Sequence, residues 1–254
     1  MDIEVYRQYA NALESDRGPA WRYDETKPCG VNYNNFLLAR IYDTYHQMFR
    51  DYCQETGQVL AALAPGPDAT VIDMGCGTGA FALHASPWCR RIYAVDVSRA
   101  MLNRARRKAR RARLTNIEFR RGGFLTYEHK GEPVDAIVSV AALHHLPDFW
   151  KLVGLHRLAA MLKPGGRLYL LDVVLSFDVA EYEAAIARFV KTMSVQIGPN
   201  GQQESETHFR EEYSTCGWIM EGLLQCAGFD VQTAEYRDPC LAAYLCEKSA
   251  TQSA

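Results

Sequence analysis

Between residues 70 and about 174 the hydrophobic positions fall into short β-branched or apolar runs: TVIDM, RIYAVDV, NIEFR, VDAIVSV and GRLYLLDVV. Helical segments follow the first, second and fourth runs, and a loop follows the third. Strands alternating with helices in this way predict a parallel sheet covered on both faces. The helix before the last run is expected to end at LKPGG, where Lys163 suits the negative helix end and Pro-Gly-Gly forces a turn. Upstream, residues 1 to about 65 carry a helical but irregular pattern. There Trp21, Tyr23, Tyr33, Phe36, Tyr42, Tyr45, Phe49 and Tyr52 sit among polar residues, which makes a poor core but a good cap. Ala64-Pro65-Gly66-Pro67-Asp68 breaks that pattern. Downstream, DVAEYEAAIARFVKTM reads as a helix, and IGPNGQQESETH reads as a polar, mobile loop with an Asn-Gly turn signal. A helix around STCGWIMEGLLQCAG, closed by Gly228, leads to two strands, FDVQTAEY and LAAYLCEK. The organisation that follows is a helical cap over 1–65, an α/β domain over 66–248 with a lid insertion at about 175–215, and a tail over 249–254.

Composition narrows the class. With 254 residues, 48% hydrophobic and 23% charged, the chain is neither disordered nor fibrous. The 28 lysines and arginines nearly balance 30 acidic residues, so a net charge of -2 provides no whole-molecule attraction to nucleic acid or anionic lipid. Neither a signal-like run nor 18 consecutive apolar residues occurs, so the expectation is a cytoplasmic protein without a membrane partner, a monomer or a homodimer. Eight cysteines (29, 53, 76, 89, 216, 226, 240 and 246) form no CxxC pair and read as reduced thiols. Cys240 and Cys246, six residues apart at the last strand, read as buried small residues rather than metal ligands. The segment Ser98 to Arg113 holds eight basic residues and no acid: Arg99, Arg104, Arg106, Arg107, Lys108, Arg110, Arg111 and Arg113. Helical spacing spreads them over more than one face, and no aromatic residues interleave for base stacking, as in a solvated outer helix. The alternative is a docking face for RNA or another anionic partner.

The chemistry concentrates at Val71-Ile72-Asp73-Met74-Gly75-Cys76-Gly77-Thr78-Gly79-Ala80-Phe81, a strand running into a glycine turn and then a helix. Glycines there let backbone approach a ligand closely and take positive φ. Alone, Gly75-x-Gly77-x-x-Ala80 also fits the dinucleotide fingerprint, which leaves nicotinamide cofactors open. Asp73 separates the two: a carboxylate at the strand mouth repels a pyrophosphate and attracts an ammonium or sulfonium group. Asp96 ends the next strand, where it can accept two hydrogen bonds from ribose hydroxyls, or alternatively cap the following helix. Val97 and Met101 follow, placed to cover a purine face. After the fourth strand come Val140-Ala141-Ala142-Leu143-His144-His145, and either imidazole is a candidate base for an acceptor hydroxyl.

These segments resemble the class I S-adenosylmethionine-dependent methyltransferases, in the small-molecule branch with the general methyltransferase domain. The resemblance covers about residues 68 to 174 and rests on IDMGCGTG, AVDVS followed by Met101, VDAIVSVAALHHL and LKPGGRLYLLD, in family order and spacing. It implies a Rossmann-like α/β fold: a seven-stranded, mostly parallel sheet, helices on both faces, and a last strand that inserts antiparallel. S-Adenosylmethionine would lie across the carboxyl ends of the early strands and leave as S-adenosylhomocysteine. By family role, Asp73, Gly75, Cys76, Gly77 and Gly79 face the methionine moiety, Asp96 the ribose, and Val97 and Met101 the adenine. Val140 borders the transferring methyl, and Tyr42 and Tyr45 resemble tyrosines that close a cap over the methionine end. The chain departs from the family at Gly122-Gly123-Phe124, where Gly-Asp-Ala commonly supplies an acid to the adenine amino group. Backbone of Gly123 and Phe124, or a neighbouring side chain, is expected to substitute.

Acceptor recognition falls to His208, Arg210, Glu211, Glu212, Tyr213 and Trp218, together with Tyr45, a mixture of rings and charges suited to a small polar acceptor. The Asn/Asp-Pro-Pro-aromatic motif of amino-methylating nucleic-acid enzymes is missing, and Pro239-Cys240 lies in the wrong region for a cytosine nucleophile. The expectation is methyl transfer to an oxygen or nitrogen of a small molecule, by a scheme that requires no metal. The alternatives are an RNA or protein methyltransferase, a nicotinamide-dependent oxidoreductase and a non-catalytic cofactor-binding subunit.

Overall fold

The structure is a computed structural model and describes residues 19–250. Residues 19–35 form an irregular strap of turns and bends rather than helix. Helix α1 (Phe36–His46) starts where the Asn35 side chain accepts from the amides of Leu37 and Leu38. Helix α2 (Tyr52–Leu63) is capped in the same way by Asp51 and stops at Ala64, whose left-handed φ of 44° precedes Pro65. Thr56, Val59 and Leu63 share one buried face of α2. Val59 and Leu63 join the core cluster that contains Val71 of the sheet, so the helical layer begins within the segment read as a cap.

Strand β1 (Thr70–Met74) leads to α3 (Ala80–Ala85), β2 (Arg91–Asp96), α4 (Arg99–Arg111), β3 (Ile117–Arg121) and β4 (Val134–Val140). A 3-10 turn at Leu143–His145 precedes α5 (Asp148–Met161) and the long β5 (Leu162–Leu175). Then come α6 (Tyr182–Ile197), α7 (Pro199–Glu211), the short β6 (Thr215–Cys216), α8 (Gly217–Cys226), β7 (Phe229–Asp238) and β8 (Leu241–Lys248). The order across the sheet is β3-β2-β1-β4-β5-β8-β7, with β6 beside β5. The first five strands are parallel, and β8 inserts antiparallel between β5 and β7, the topology that the resemblance implies. Alternation along β1 sends Val71 to one apolar layer, with α2, α3 and α4, and Ile72 and Met74 to the other, with α5 and α8. Strand order reverses between β1 and β4, which opens a crevice at their carboxyl ends.

Two local readings are corrected. The polar stretch around residues 195–207 is not a loop: Gly198, at φ 79°, ends α6, and Pro199 opens α7 at a position where its missing amide is harmless. Phe189 of α6 meets Phe209 of α7 edge-on at 5.5 Å, so the insertion is a helical pair. At LKPGG, α5 has already ended at Met161; Val134 pairs with Leu162 and Ala136 with Arg167, which makes residues 163–166 a bulge in β5. Lys163 there bonds Asp135 at 2.5 Å rather than a helix terminus. The eight cysteines are free, with Cys76, Cys89, Cys240 and Cys246 buried. Among the described residues no helix is long and apolar enough to cross a membrane.

Candidate active site

The glycine turn fills the crevice. Gly75, Gly77 and Gly79 take φ of 77°, 52° and 80°. At Gly75 a Cβ would stand 2.3 Å from that of Ala142, so β1 and β4 approach too closely there for any side chain. Asp96 pins this turn: its carboxylate accepts from the Gly77 amide and from the Ser98 amide, both at 2.7 Å. The cap of α4 is Ser98 rather than Asp96, its hydroxyl accepting from the Met101 amide at 3.1 Å. Burial pushes Asp96 up to about 6. Asp73 is pushed up to about 7, by burial first and by the nearby Asp96 carboxylate, against the Ala82 amide that lowers it. Asp73 Oδ2 is buried without a hydrogen-bond partner among the described residues. A carboxylate held this way is stabilised by an incoming cation.

One cavity joins these groups. Its wall carries Asp73, Gly75, Cys76 and Gly77, then Asp96, Val97 and Met101, then Gly123, Phe124 and Val140, with Tyr42 from α1 and His145 opposite. Arg50, paired with Glu55 at 2.6 Å, and Tyr33 and Glu25 also face it; sequence reasoning assigned none of these a site role. The strap roofs the cavity through bonds to four parts of the fold. Tyr23 donates to the His145 carbonyl (3.4 Å), Glu25 accepts from the Leu125 amide (3.1 Å), Cys29 donates to the Glu211 carbonyl (3.0 Å), and Ser98 donates to the Tyr33 carbonyl (2.8 Å).

The two histidines have different surroundings. His144 is buried off the cavity, its Nδ1 2.5 Å from Asp172 of β5 and its Nε2 3.3 Å from Glu212. Asp172 also accepts from the amides of Leu143 and His144. Glu212 takes His208 Nδ1 at 2.5 Å, and His208 Nε2 meets the Ser214 hydroxyl at 2.7 Å. Burial opposes a charge on His144, but the two carboxylates outweigh it and push the imidazole up to about 10. Glu212 is held well below its ordinary value; burial opposes this, and the bonds from His144 and His208 prevail. His145 faces the cavity, and burial, with the neighbouring His144 cation, pushes it down to about 4. His145 is therefore neutral at pH 7 and His144 is charged. Ring nitrogens of His144 and His145 and an oxygen of Glu212 lie within 4.8 Å of one another.

Several residues expected at the site lie elsewhere. Gly79 caps α3 with a Cβ direction blocked by Ala105 at 3.1 Å, behind the cavity wall. His144 and His208 belong to the buried network, and Tyr45 packs edge-on against His46 at 5.6 Å, away from the lining. The outward face of α7 carries Arg210, which pairs with Glu211 at 2.9 Å. Tyr213 packs edge-on against Tyr23 at 6.4 Å, and Trp218 is 76% exposed on α8. The basic helix is partly tied down: Lys108 reaches Asp43 at 2.9 Å, Arg106 donates to the Phe119 carbonyl at 3.3 Å, and Arg107 lies over the Phe36 ring at 5.3 Å. Arg99, Arg110, Arg111 and Arg113 are exposed.

A family described as methyltransferase domain matches residues 71–166, the stretch from β1 to the start of β5. An uncharacterized methyltransferase of Geobacillus kaustophilus is 25% identical over 196 residues, covering 77% of this chain and 85% of its own length. The 27-O-demethylrifamycin SV methyltransferase of Amycolatopsis mediterranei is 27% identical over 185 residues, covering 65% of this chain and 67% of its own. A solved structure of a SAM dependent methyltransferase from Aquifex aeolicus shares the fold, with a TM-score of 0.60, 19% identity and coverage of 86% of this chain and 99% of that one. Residues 71–166 are thus a methyltransferase domain, and with the glycine turn and its two carboxylates these matches support a class I S-adenosylmethionine-dependent methyltransferase. The residues present suit that cofactor. The orphaned Asp73 oxygen suits a cation, and at Gly77, where no atom stands within 4 Å of a Cβ position, the turn presents its backbone to the cavity. The nicotinamide alternative fails at the same carboxylate, which a pyrophosphate would meet.

Proposed function

We propose that this enzyme methylates an oxygen or nitrogen of a small molecule that enters beneath the strap. The observation that carries the reading is the roof. Reacting groups lie under residues 19–35 and the helices α1 and α2, which favours an acceptor small enough to be enclosed over a polymer lying on the surface. The relative named for 27-O-demethylrifamycin SV supports the same class of acceptor. The basic helix favours a macromolecule less than its composition suggests, since Lys108 is committed to Asp43. Eight free cysteines support a reducing compartment, the cytoplasm.

When bound, the cofactor supplies a methyl group already activated on a sulfonium, so the protein's task is alignment and exclusion of water. Asp73 would hold the positive end, Asp96 the ribose hydroxyls, and Val97 and Met101 the purine face. The neutral His145 would take the proton from an acceptor hydroxyl. His144, gripped by Asp172 and Glu212, would keep the His-His turn in place. The test is transfer of labelled methyl from S-adenosylmethionine into a fractionated cell extract. Label is expected in the small-molecule fraction; label in protein or RNA would overturn the reading.

A further inference from the structure

Glu25 belongs to no helix or strand, yet its carboxylate is fastened from above to the loop after β3. Both oxygens accept from the Leu125 amide at 3.1 Å, and Oε1 also takes the Thr126 hydroxyl at 2.6 Å. Oε2 lies over Gly123: a Cβ built on that residue would stand 2.4 Å from this oxygen and 2.6 Å from the carboxyl carbon. The backbone of Gly123 has no left-handed φ, so its own conformation does not require glycine. The carboxylate of Glu25, together with Val97 Cγ1 at 2.8 Å from the same Cβ position, requires it.

Position along the cavity decides what this carboxylate can read. Asp73 marks the cationic end of a bound S-adenosylmethionine and Asp96 the ribose. Val97 Cγ1 and the Glu25 carboxylate meet over Gly123, and Met101 and Phe124 line the same cavity, so a flat base placed there has apolar neighbours and Glu25 at its edge. An ionised carboxylate only accepts hydrogen bonds, and adenine presents its exocyclic amine as a donor there. Oε2 is bonded to a single amide, which leaves lone-pair capacity.

We infer that Glu25 selects adenine, its carboxylate accepting the exocyclic amine of the cofactor's base across the face of Gly123. The inference rests on the cofactor lying in the cavity in the orientation given above. The acid missing from Gly122-Gly123-Phe124 is thereby supplied from the strap, and a side chain at 123 is excluded because the space is taken. Holding the base and closing the roof become one event.

Calorimetric binding of S-adenosylhomocysteine and S-inosylhomocysteine tests this. In the second ligand a carbonyl oxygen replaces the amine, so it turns an acceptor toward Glu25. The wild-type enzyme is expected to prefer the adenine ligand by at least about tenfold. Glu25→Gln keeps the acceptor for Leu125 but can donate to the carbonyl, and the preference should fall to about threefold or less. Glu25→Ala should lose the preference, and adding Gly123→Asp, into the space left by the carboxylate and by a small shift of Val97 Cγ1, should restore it. That rescue separates adenine reading from mere tethering of the strap. An undiminished preference in Glu25→Gln overturns the inference. Failure of the wild-type enzyme to bind S-adenosylhomocysteine would overturn the cofactor placement and this inference with it.

Discussion

Lys108 of α4 and Asp43 of α1 meet at 2.9 Å, and the same carboxylate takes the Thr78 hydroxyl of the glycine turn. One buried acid thus ties the helix that carries Tyr42 to the turn and to the basic helix. Asp43→Ala removes the acceptor of the Thr78 hydroxyl and the ion-pair partner of Lys108, whose ammonium keeps only its 3.2 Å bond to Thr78 Oγ1, at a cost of about 1–3 kcal/mol. Denaturant unfolding should report that loss, and cofactor affinity should weaken with it because Tyr42 lines the cavity. Arg110→Glu combined with Arg111→Glu, on the exposed face, should leave methyl transfer within about twofold. Loss of transfer in that pair would promote the helix to a docking site.

Asp73 provides a pH test. Its carboxyl is pushed from an ordinary 3.8 up to about 7, by burial first. The folded protein therefore holds this proton more tightly than the unfolded chain, and the contribution of Asp73 to the stability of the free enzyme falls as pH rises from about 4 toward 7. Ionised Asp73 favours a cation, so S-adenosylmethionine should bind more tightly as pH passes 7. In Asp73→Asn that slope should vanish, with affinity at pH 8 lower by about tenfold, or roughly 1.4 kcal/mol. A wild-type affinity that is flat between pH 6 and 8 would remove Asp73 from the cationic end.

The parts of this site legible in the sequence are those built by short-range chain geometry. A strand, a glycine turn and a helix in succession put Asp73, Gly75 and Gly77 at a strand mouth, and the next strand does the same for Asp96. Asp172 lies inside β5, three residues before its end, and its role depends on His144, 28 residues away, with no local pattern to pair them. Glu25 was invisible for a stronger reason: its partners Leu125 and Thr126 lie about a hundred residues on, and the strap has no periodicity. The sign that something would fill the space was Gly123 itself, a glycine where the family places an acid. The misread segment around 195–207 is polar because α7 buries little beyond Gly201 and Ser205, so an apolar period never develops.

His144 links the network to stability. Its imidazole is raised from 6.5 to about 10, so the stabilisation it provides is fully present below pH 6.5 and is lost as pH rises through 10. Asp172 and Glu212 are lowered, so their share is present above their ordinary values and is lost in acid. The difference in thermal stability between the wild-type enzyme and a folded His144→Gln variant should therefore be largest near pH 5–6.5 and shrink on both sides. His144→Ala leaves two buried carboxylates facing each other and should cost about 3–5 kcal/mol. An unchanged alkaline limb in a folded His144→Gln variant would contradict this assignment.

His145 provides the sharpest catalytic test, because burial and its charged neighbour together set its protonation. An isolated histidine base would switch on near 6.5, whereas burial and the adjacent His144 cation push His145 down to about 4. With a hydroxyl acceptor and both substrates saturating, kcat should be flat from pH 6 to 9, and no limb should appear near 6.5. His145→Gln keeps a polar group on the cavity wall but cannot take the proton, so kcat should fall by about 10²–10⁴. Cofactor affinity should stay within about threefold, because Asp73 rather than the imidazole is the residue proposed for the positive end of the cofactor. Equal losses in kcat and in cofactor affinity would make His145 a binding residue instead. A profile with a limb at 6.5 would mean that burial and the His144 charge do not hold the imidazole down.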